Sequence, residues 1–144
     1  MKVRIINTSN NPLPKYQTEG SSGLDVSAFL EKPIEIKPLE RVLVPTGLYL
    51  EIPSGYEVQI RPRSGLALNY GITLLNSPAT IDSDYRGEIK ILIINLGQEN
   101  FMIENGTRIA QLVFSKIEKI QWSEVLEIDS TERNQNGFGH TGNK

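Results

Sequence analysis

Apolar residues recur at every second position in short runs along this chain, and turn-forming residues close the runs. Alternation of that kind puts one side of an extended segment in a core and the other in water. A helix repeats its faces about every 3.6 residues and does not fit it. The pattern runs through KVRIINT (2–8), IEIKPLERVLVPTGLYLEI (34–52), GYEVQIRP (55–62), EIKILIINL (88–96), RIAQLVF (108–114) and KIEKIQW (116–122). Within the longest run, breaks are expected near Pro38 and at Pro45–Gly47. Pro53-Ser54-Gly55, Leu96-Gly97-Gln98 and Asn105-Gly106 mark turns, the last a two-residue hairpin signal. Many short strands at this spacing predict an all-β sandwich, barrel or jelly roll.

A chain of 144 residues is long enough for one domain with a core of its own. A hydrophobic share of 38% and a charged share of 22% suit a soluble globular protein. The formal net charge of −2 provides no basic footprint, so nucleic acid is not an expected partner. No cysteine is present, which removes disulfides and thiolate metal sites. The opening MKVRIINTSNN turns polar too soon for a signal-peptide core, and no apolar run approaches a membrane span. The expected setting is the cytoplasm, with no membrane partner.

One segment departs from the alternation. In RSGLALNYG (63–71), Ser64 reads as an N-cap and Gly71 as a left-handed C-terminal glycine around about two helical turns. So short a helix is either a connecting turn or a place where unpaired N–H groups, beside Arg63 and Ser64, hold a phosphate. The tail STERNQNGFGHTGNK (130–144) has no alternation and reads as a flexible terminus. It also carries Arg133, a glycine-flanked Phe138, His140 and Thr141, a set suited to closing over a flat, anionic ligand.

The stretch TIDSDYRGEI (80–89) packs two carboxylates, a tyrosine and an arginine between apolar runs. In an extended strand Asp82 and Asp84 share a face, and like charges so close repel unless one is solvated, protonated or bound to a cation. The stretch is therefore either an acid–base site or an Asp-Ser-Asp turn whose side chains bond the local backbone. The lone histidine, His140, gives poor support to a histidine-centred triad or a protein-caged zinc. Magnesium stays open, because it needs few protein ligands and readily uses substrate phosphates. Arg61, Arg63, Arg86, Arg108 and Arg133 read first as pair-makers at a surface or interface.

Five blocks occur in order: LPKYQTEGSSGLDVSA (13–28), RPRSGLA (61–67), NSPATIDSDYRGEI (76–89), GTRIAQLVF (106–114) and RNQNGFGHTG (133–142). Together they closely resemble the five motifs of the trimeric dUTPases, the deoxyuridine triphosphate nucleotidohydrolases. The resemblance runs from about Leu13 to Gly142, and its second to fourth blocks are long and specific. It implies a jelly-roll-like β fold with one short helix, a β-domain at 1–132, and a flexible C-terminal arm at 133–144 that closes over the active site. It also implies a homotrimer with active sites at subunit interfaces. The implied reaction is hydrolysis of dUTP to dUMP and pyrophosphate with Mg²⁺, which removes dUTP and supplies dUMP for thymidylate synthesis.

The resemblance also implies roles for single residues. Asp82 takes the general-base position, deprotonating the water that attacks the α-phosphorus, while Asp84 is structural at the turn. Tyr85 lies against the deoxyribose and leaves no room for a 2′-hydroxyl. Arg63, Ser64 and Gly65 match the phosphate-binding motif. Asn76 faces uracil, and backbone groups around Thr80 and Ile81 read the base edge, rejecting cytosine through an unmet hydrogen bond. Asp25 contributes to the Mg²⁺ water shell, Gln111 lies near the phosphates, and Lys90 is a contact on the strand leaving the hairpin. Arg108 is mainly structural. In the arm, Arg133 meets the terminal phosphate, Phe138 stacks on uracil, and Gly139, His140 and Thr141 lie alongside the stacked base and the γ-phosphate.

Three departures from the family pattern stand out. Asn134 and Asn136 occupy arm positions that are usually glycine, and asparagine tolerates left-handed backbone better than other side chains. His140 replaces a serine, and Ala79 a glycine of the third motif. Among rival readings, a fold-related dCTP deaminase has no reason to keep the whole Asp-Ser-Asp-Tyr-Arg-Gly block with the arm. A nucleotide-sensing protein that binds dUTP and signals through a partner is a second rival. A plain structural jelly roll leaves five ordered motifs unexplained.

Overall fold

The computed structural model describes residues 1–136. Among them the alternating runs give ten strands and one short helix. In chain order these are β1 (Arg4–Asn7), β2 (Leu24–Ser27), β3 (Ile34–Ile36), β4 (Arg41–Glu51), β5 (Tyr56–Arg61), α1 (Ser64–Tyr70), β6 (Ile72–Leu74), β7 (Ala79–Ile81), β8 (Glu88–Asn95), β9 (Phe101–Ile103) and β10 (Arg108–Lys116). They pair antiparallel into two four-stranded sheets, ordered β1-β4-β8-β6 and β2-β10-β5-β7, with β3 and β9 as a separate ribbon. The fold is all-β, as the alternation predicts, and jelly-roll-like, as the family resemblance implies.

The core is the inner face of both sheets. In β8, Ile89, Ile91 and Ile93 are buried while Lys90 and Leu92 alternate toward the outside. Val44, Leu48 and Leu50 of β4 join them from the same sheet. Val26, Val58, Ile60, Ala110 and Leu112 face them from the other sheet. Each such aliphatic side chain contributes roughly 1.5–3 kcal/mol on leaving water. Asn95, fully buried at the end of β8, donates to the carbonyls of Ile36 (2.9 Å) and Glu99 (2.8 Å) and accepts from the Gly97 N–H (2.8 Å). A polar group so placed is tolerated because its hydrogen-bonding capacity is used.

Three expectations about the strands are corrected. Pro45–Gly47 does not end a strand: β4 continues through it as a bulge, the register with β8 jumping from Pro45↔Lys90 to Tyr49↔Glu88. The backbone groups that lose ladder partners find others. Ile89 O accepts from Thr46 Oγ1 at 2.6 Å, and the Gly47 N–H donates to Glu88 Oε1 at 2.9 Å. Gly47 has φ +70°, which suits glycine. Second, Asn105-Gly106 is a turn, with Gly106 at φ +82°, but it joins strands of different sheets and makes a corner rather than a hairpin. Third, the run 116–122 forms no strand beyond its first residue. β10 ends at Lys116, and beyond it Ile120 and Trp122 stand 68% and 87% exposed. The alternation there supplies an apolar side, but the described residues offer no neighbouring strand to complete the backbone hydrogen bonds.

Candidate active site

The link from β7 to β8 is a tight turn. Asp82 O accepts from the Tyr85 N–H at 3.2 Å. Arg86 Nη1 clips the turn by donating to Ser83 O (2.7 Å) and Tyr85 O (2.9 Å). Asp82 and Asp84 are therefore not strand neighbours on one face, as an extended reading would have them. Their side chains do not bond the local backbone either. Both are exposed, and among the described residues neither carboxylate accepts a hydrogen bond or pairs with a cation.

Tyr85 folds back along this turn, its hydroxyl donating to Glu88 O at 3.1 Å. The Glu88 carboxylate reaches the bulge of β4 at Gly47 and lies 3.5 Å from Lys90 Nζ. With Leu43, Thr80, Ile81 and Asp82, these side chains wall a cleft of about 280 Å³. Five of the residues singled out from sequence thus come together here: Thr80, Ile81, Asp82, Tyr85 and Lys90. Leu43 and Glu88 were missed as site residues. Leu43 had a signal, an outward apolar position within an alternating run. A larger groove of about 570 Å³ runs beside β1, with the Arg4–Glu51 ion pair on its wall; it is lined in part by Arg86 but by none of the residues expected to bind substrate or metal or to act in catalysis.

A second group forms across β2, β10 and the start of α1. Asp25 sits opposite Gln111 in the β2–β10 ladder. Its Oδ1 accepts from Arg63 Nε at 3.0 Å and its Oδ2 from Arg108 Nη1 at 2.9 Å. Arg63 Nη1 also donates to Arg108 O at 3.1 Å, and Gln111 Nε2 donates to Pro62 O at 3.0 Å. A Cβ on Gly23 would overlap Gln111 Oε1 and stand 3.1 Å from its Cδ, so glycine leaves that side chain its room. Two guanidiniums on one carboxylate leave the group net positive.

Ser64 is not the N-cap. Arg63 holds that position with extended backbone (φ −91°, ψ 129°) and no side-chain cap, since a guanidinium has only donors and a helix start needs an acceptor; the guanidinium donates to Asp25 instead. Ser64 and Gly65 lie exposed in the first turn, ahead of the first helical hydrogen bond, Ala67 N–H to Arg63 O at 3.1 Å. Gly71 closes the helix at φ 68°, as expected.

The remaining candidates lie apart. Asn76 is exposed in the bend before β7 and does not line the cleft. Arg133 is exposed and donates through Nε to Asn136 O at 3.0 Å. Asn134 has φ +47°, the left-handed backbone that asparagine tolerates. Phe138, Gly139, His140 and Thr141 lie outside the described residues. β2 and β7 are the two edges of one sheet, roughly 14 Å apart at ordinary strand spacing. Among the described residues no hydrogen bond or ion pair joins the Asp25 group to the Asp82 cleft.

Comparison with known proteins agrees with this arrangement of strands and motifs. A sequence model of the dUTPase family matches residues 9–142. The deoxyuridine 5'-triphosphate nucleotidohydrolase of Finegoldia magna is 61% identical over 142 residues, covering 99% of each chain. The protein of the same name from Fusobacterium nucleatum is 56% identical, covering 99% of this chain and 97% of its own. Among solved structures, a G164S mutant of the Staphylococcus bacteriophage 80alpha dUTPase with dUpNHpp superposes with a TM-score of 0.88 at 23% identity over 98% of each chain. The D95N mutant dUTPase of Staphylococcus aureus phage phi11, described with a structural Mg(II) ion, superposes with a TM-score of 0.80 at 20% identity over 90% of this chain and 100% of its own. Both structural likenesses speak to the fold.

Proposed function

The chain belongs to the dUTPase family and is a dUTP diphosphatase, and on that premise we propose that water attacks the α-phosphorus of dUTP with Asp82 as general base. The observation that carries this reading is the state of the Asp82 carboxylate. It is exposed, engaged by no donor among the described residues, and held by a clipped turn at the cleft that Tyr85 walls. A carboxylate kept free in that place can orient a water and take its proton, which typically contributes about 10²–10⁴-fold. Positioning and neutralising the triphosphate supply the rest.

The other roles follow from chemistry. Arg63, Ser64, Gly65 and Gln111 bind phosphates, and Arg63 comes to that task already oriented by Asp25. Thr80 and Ile81 lie on β7, a sheet edge with free backbone groups on its outer side, which suits reading of the uracil edge. Asn76 faces the base, Lys90 is a lesser contact, and the Tyr85 ring packs against the deoxyribose. The arm, 133–144, closes the site: Arg133 on the terminal phosphate, Phe138 over uracil, and Gly139, His140 and Thr141 beside the stacked base and the γ-phosphate.

The chain works as a homotrimer with sites at subunit interfaces. The absence of any hydrogen bond or ion pair between the Asp25 group and the Asp82 cleft among the described residues supports this, since a site drawn from two copies brings the two groups together. So does the run of exposed apolar side chains Ile120, Trp122, Leu126 and Ile128, which a monomer leaves in water.

For Mg²⁺ the donor set fits an outer role. Each Asp25 oxygen is already bonded to one guanidinium and keeps acceptor capacity for a metal-bound water. Among the described residues no cluster of three or more His, Cys, Asp or Glu forms a cage. Mg²⁺ carried on the substrate phosphates would neutralise charge there. The setting is cytoplasmic, where the reaction removes dUTP and provides dUMP for thymidylate synthesis; among the described residues no helix is long and apolar enough to cross a membrane.

The test is a pyrophosphate-release assay with Mg²⁺, comparing dUTP, UTP, dTTP and dCTP. Release from dUTP alone is expected. Equal release from UTP would remove the sugar assignment, and release of ammonia from dCTP would move the chain to deaminase chemistry.

A further inference from the structure

Gly87 lies between Tyr85 and the start of β8, and its backbone gives no reason for glycine. Gly47, Gly55, Gly71 and Gly106 all have positive φ, whereas the φ of Gly87 lies outside that region. What the position lacks is space. A Cβ on residue 87 would stand 2.5 Å from Tyr85 Cζ and 3.0 Å from Cε2, and closer still to the hydroxyl. The ring is folded back over this point, its hydroxyl donating to Glu88 O at 3.1 Å.

From this geometry we infer that Gly87 is the positioning residue for the Tyr85 ring, and through the ring sets discrimination between deoxyribose and ribose. The inference rests on the reading above, in which the ring packs against the sugar. Backbone and ring are unequal partners in any clash here. Glu88 is tied to β4 twice, by pairing with Tyr49 and by its carboxylate on the Gly47 N–H. Tyr85 is 44% exposed and held at its tip by one hydrogen bond. A methyl group at 87 therefore displaces the ring rather than the strand. The displaced ring opens the place where a 2′-hydroxyl is otherwise refused, and it weakens the seat of the deoxyribose.

The experiment measures kcat/KM for dUTP and for UTP with Mg²⁺ in the full chain and in Gly87→Ala, Tyr85→Ile and the double variant. Thermal unfolding is followed alongside. Gly87→Ala is expected to unfold close to the unsubstituted protein while its dUTP:UTP preference falls about tenfold or more, the scale of one misplaced pocket contact. In the Tyr85→Ile background, adding Gly87→Ala is expected to change the preference no further, since the two act through one ring. An unchanged preference in Gly87→Ala, with a reduced one in Tyr85→Ile, overturns the inference. So does an equal effect of Gly87→Ala in both backgrounds, or a collapse of the fold in Gly87→Ala. An unchanged preference in Tyr85→Ile overturns instead the sugar reading on which the inference stands.

Discussion

Arg63 Nε donates to Asp25 Oδ1 at 3.0 Å across a separation of 38 residues, and Arg108 takes the other carboxylate oxygen at 2.9 Å. The carboxylate is only 15% exposed, so these charge-assisted bonds lie in a partly dry environment where their loss is felt. Asp25→Ala should lower stability by about 2–3 kcal/mol, read by urea unfolding. Because Arg63 then loses its orientation, KM for dUTP should rise by more than kcat falls. An unchanged KM would detach this ion pair from substrate binding.

Asp82→Asn preserves the size of the side chain and removes its basicity. Binding of a non-hydrolysable dUTP analogue, measured by calorimetry, should stay near that of the unsubstituted protein. Turnover should fall about 10²–10⁴-fold. Near-normal turnover would mean that the attacking water is activated elsewhere.

Two truncations separate the arm from the segment before it. Removing residues after Glu132 should leave the unfolding temperature and the sedimentation coefficient unchanged while cutting kcat/KM. Removing residues after Ile117 also takes away Ile120, Trp122, Leu126 and Ile128, all strongly exposed in the single chain. If those side chains are covered by a second copy, this longer truncation should shift sedimentation toward monomer. Identical sedimentation of the two truncated proteins would refute that cover.

His140 is the only histidine in the chain, and by the family resemblance it replaces a serine. An imidazole titrates near pH about 6.5 when unperturbed. If the arm lays His140 beside the triphosphate as proposed, protonation adds a positive charge there, and binding of the triphosphate analogue should tighten as pH falls from about 8 to about 5.5. In His140→Ser the same titration should be flatter. A flat profile in the unsubstituted protein would exclude a charge role for this side chain.

Much of the architecture was legible in the chain because strand faces are local. Alternation in EIKILIINL names Ile89, Ile91 and Ile93 as one face, and the sandwich buries that face. Gly71 was legible as a helix end for the same reason, since a left-handed residue after a short apolar turn is a property of a few neighbours. The ordered third block singles out Thr80, Ile81, Asp82 and Tyr85, and these four do share one cleft.

What the sequence could not hold was partnership. Whether Pro45–Gly47 breaks a strand or bulges within it depends on acceptors supplied by Ile89 and Glu88, more than forty residues away. Whether KIEKIQW becomes a strand depends on a neighbour that the described residues do not provide. The family resemblance gave Asp25 as a metal-shell carboxylate and Arg108 as a mainly structural, intersubunit or strand-pairing charge. Only the β2–β10 pairing brings both to Arg63. Periodicity determined which side of each strand is dry; tertiary structure alone decided which polar groups meet, because hydrogen bonds and ion pairs are satisfied by distance in space.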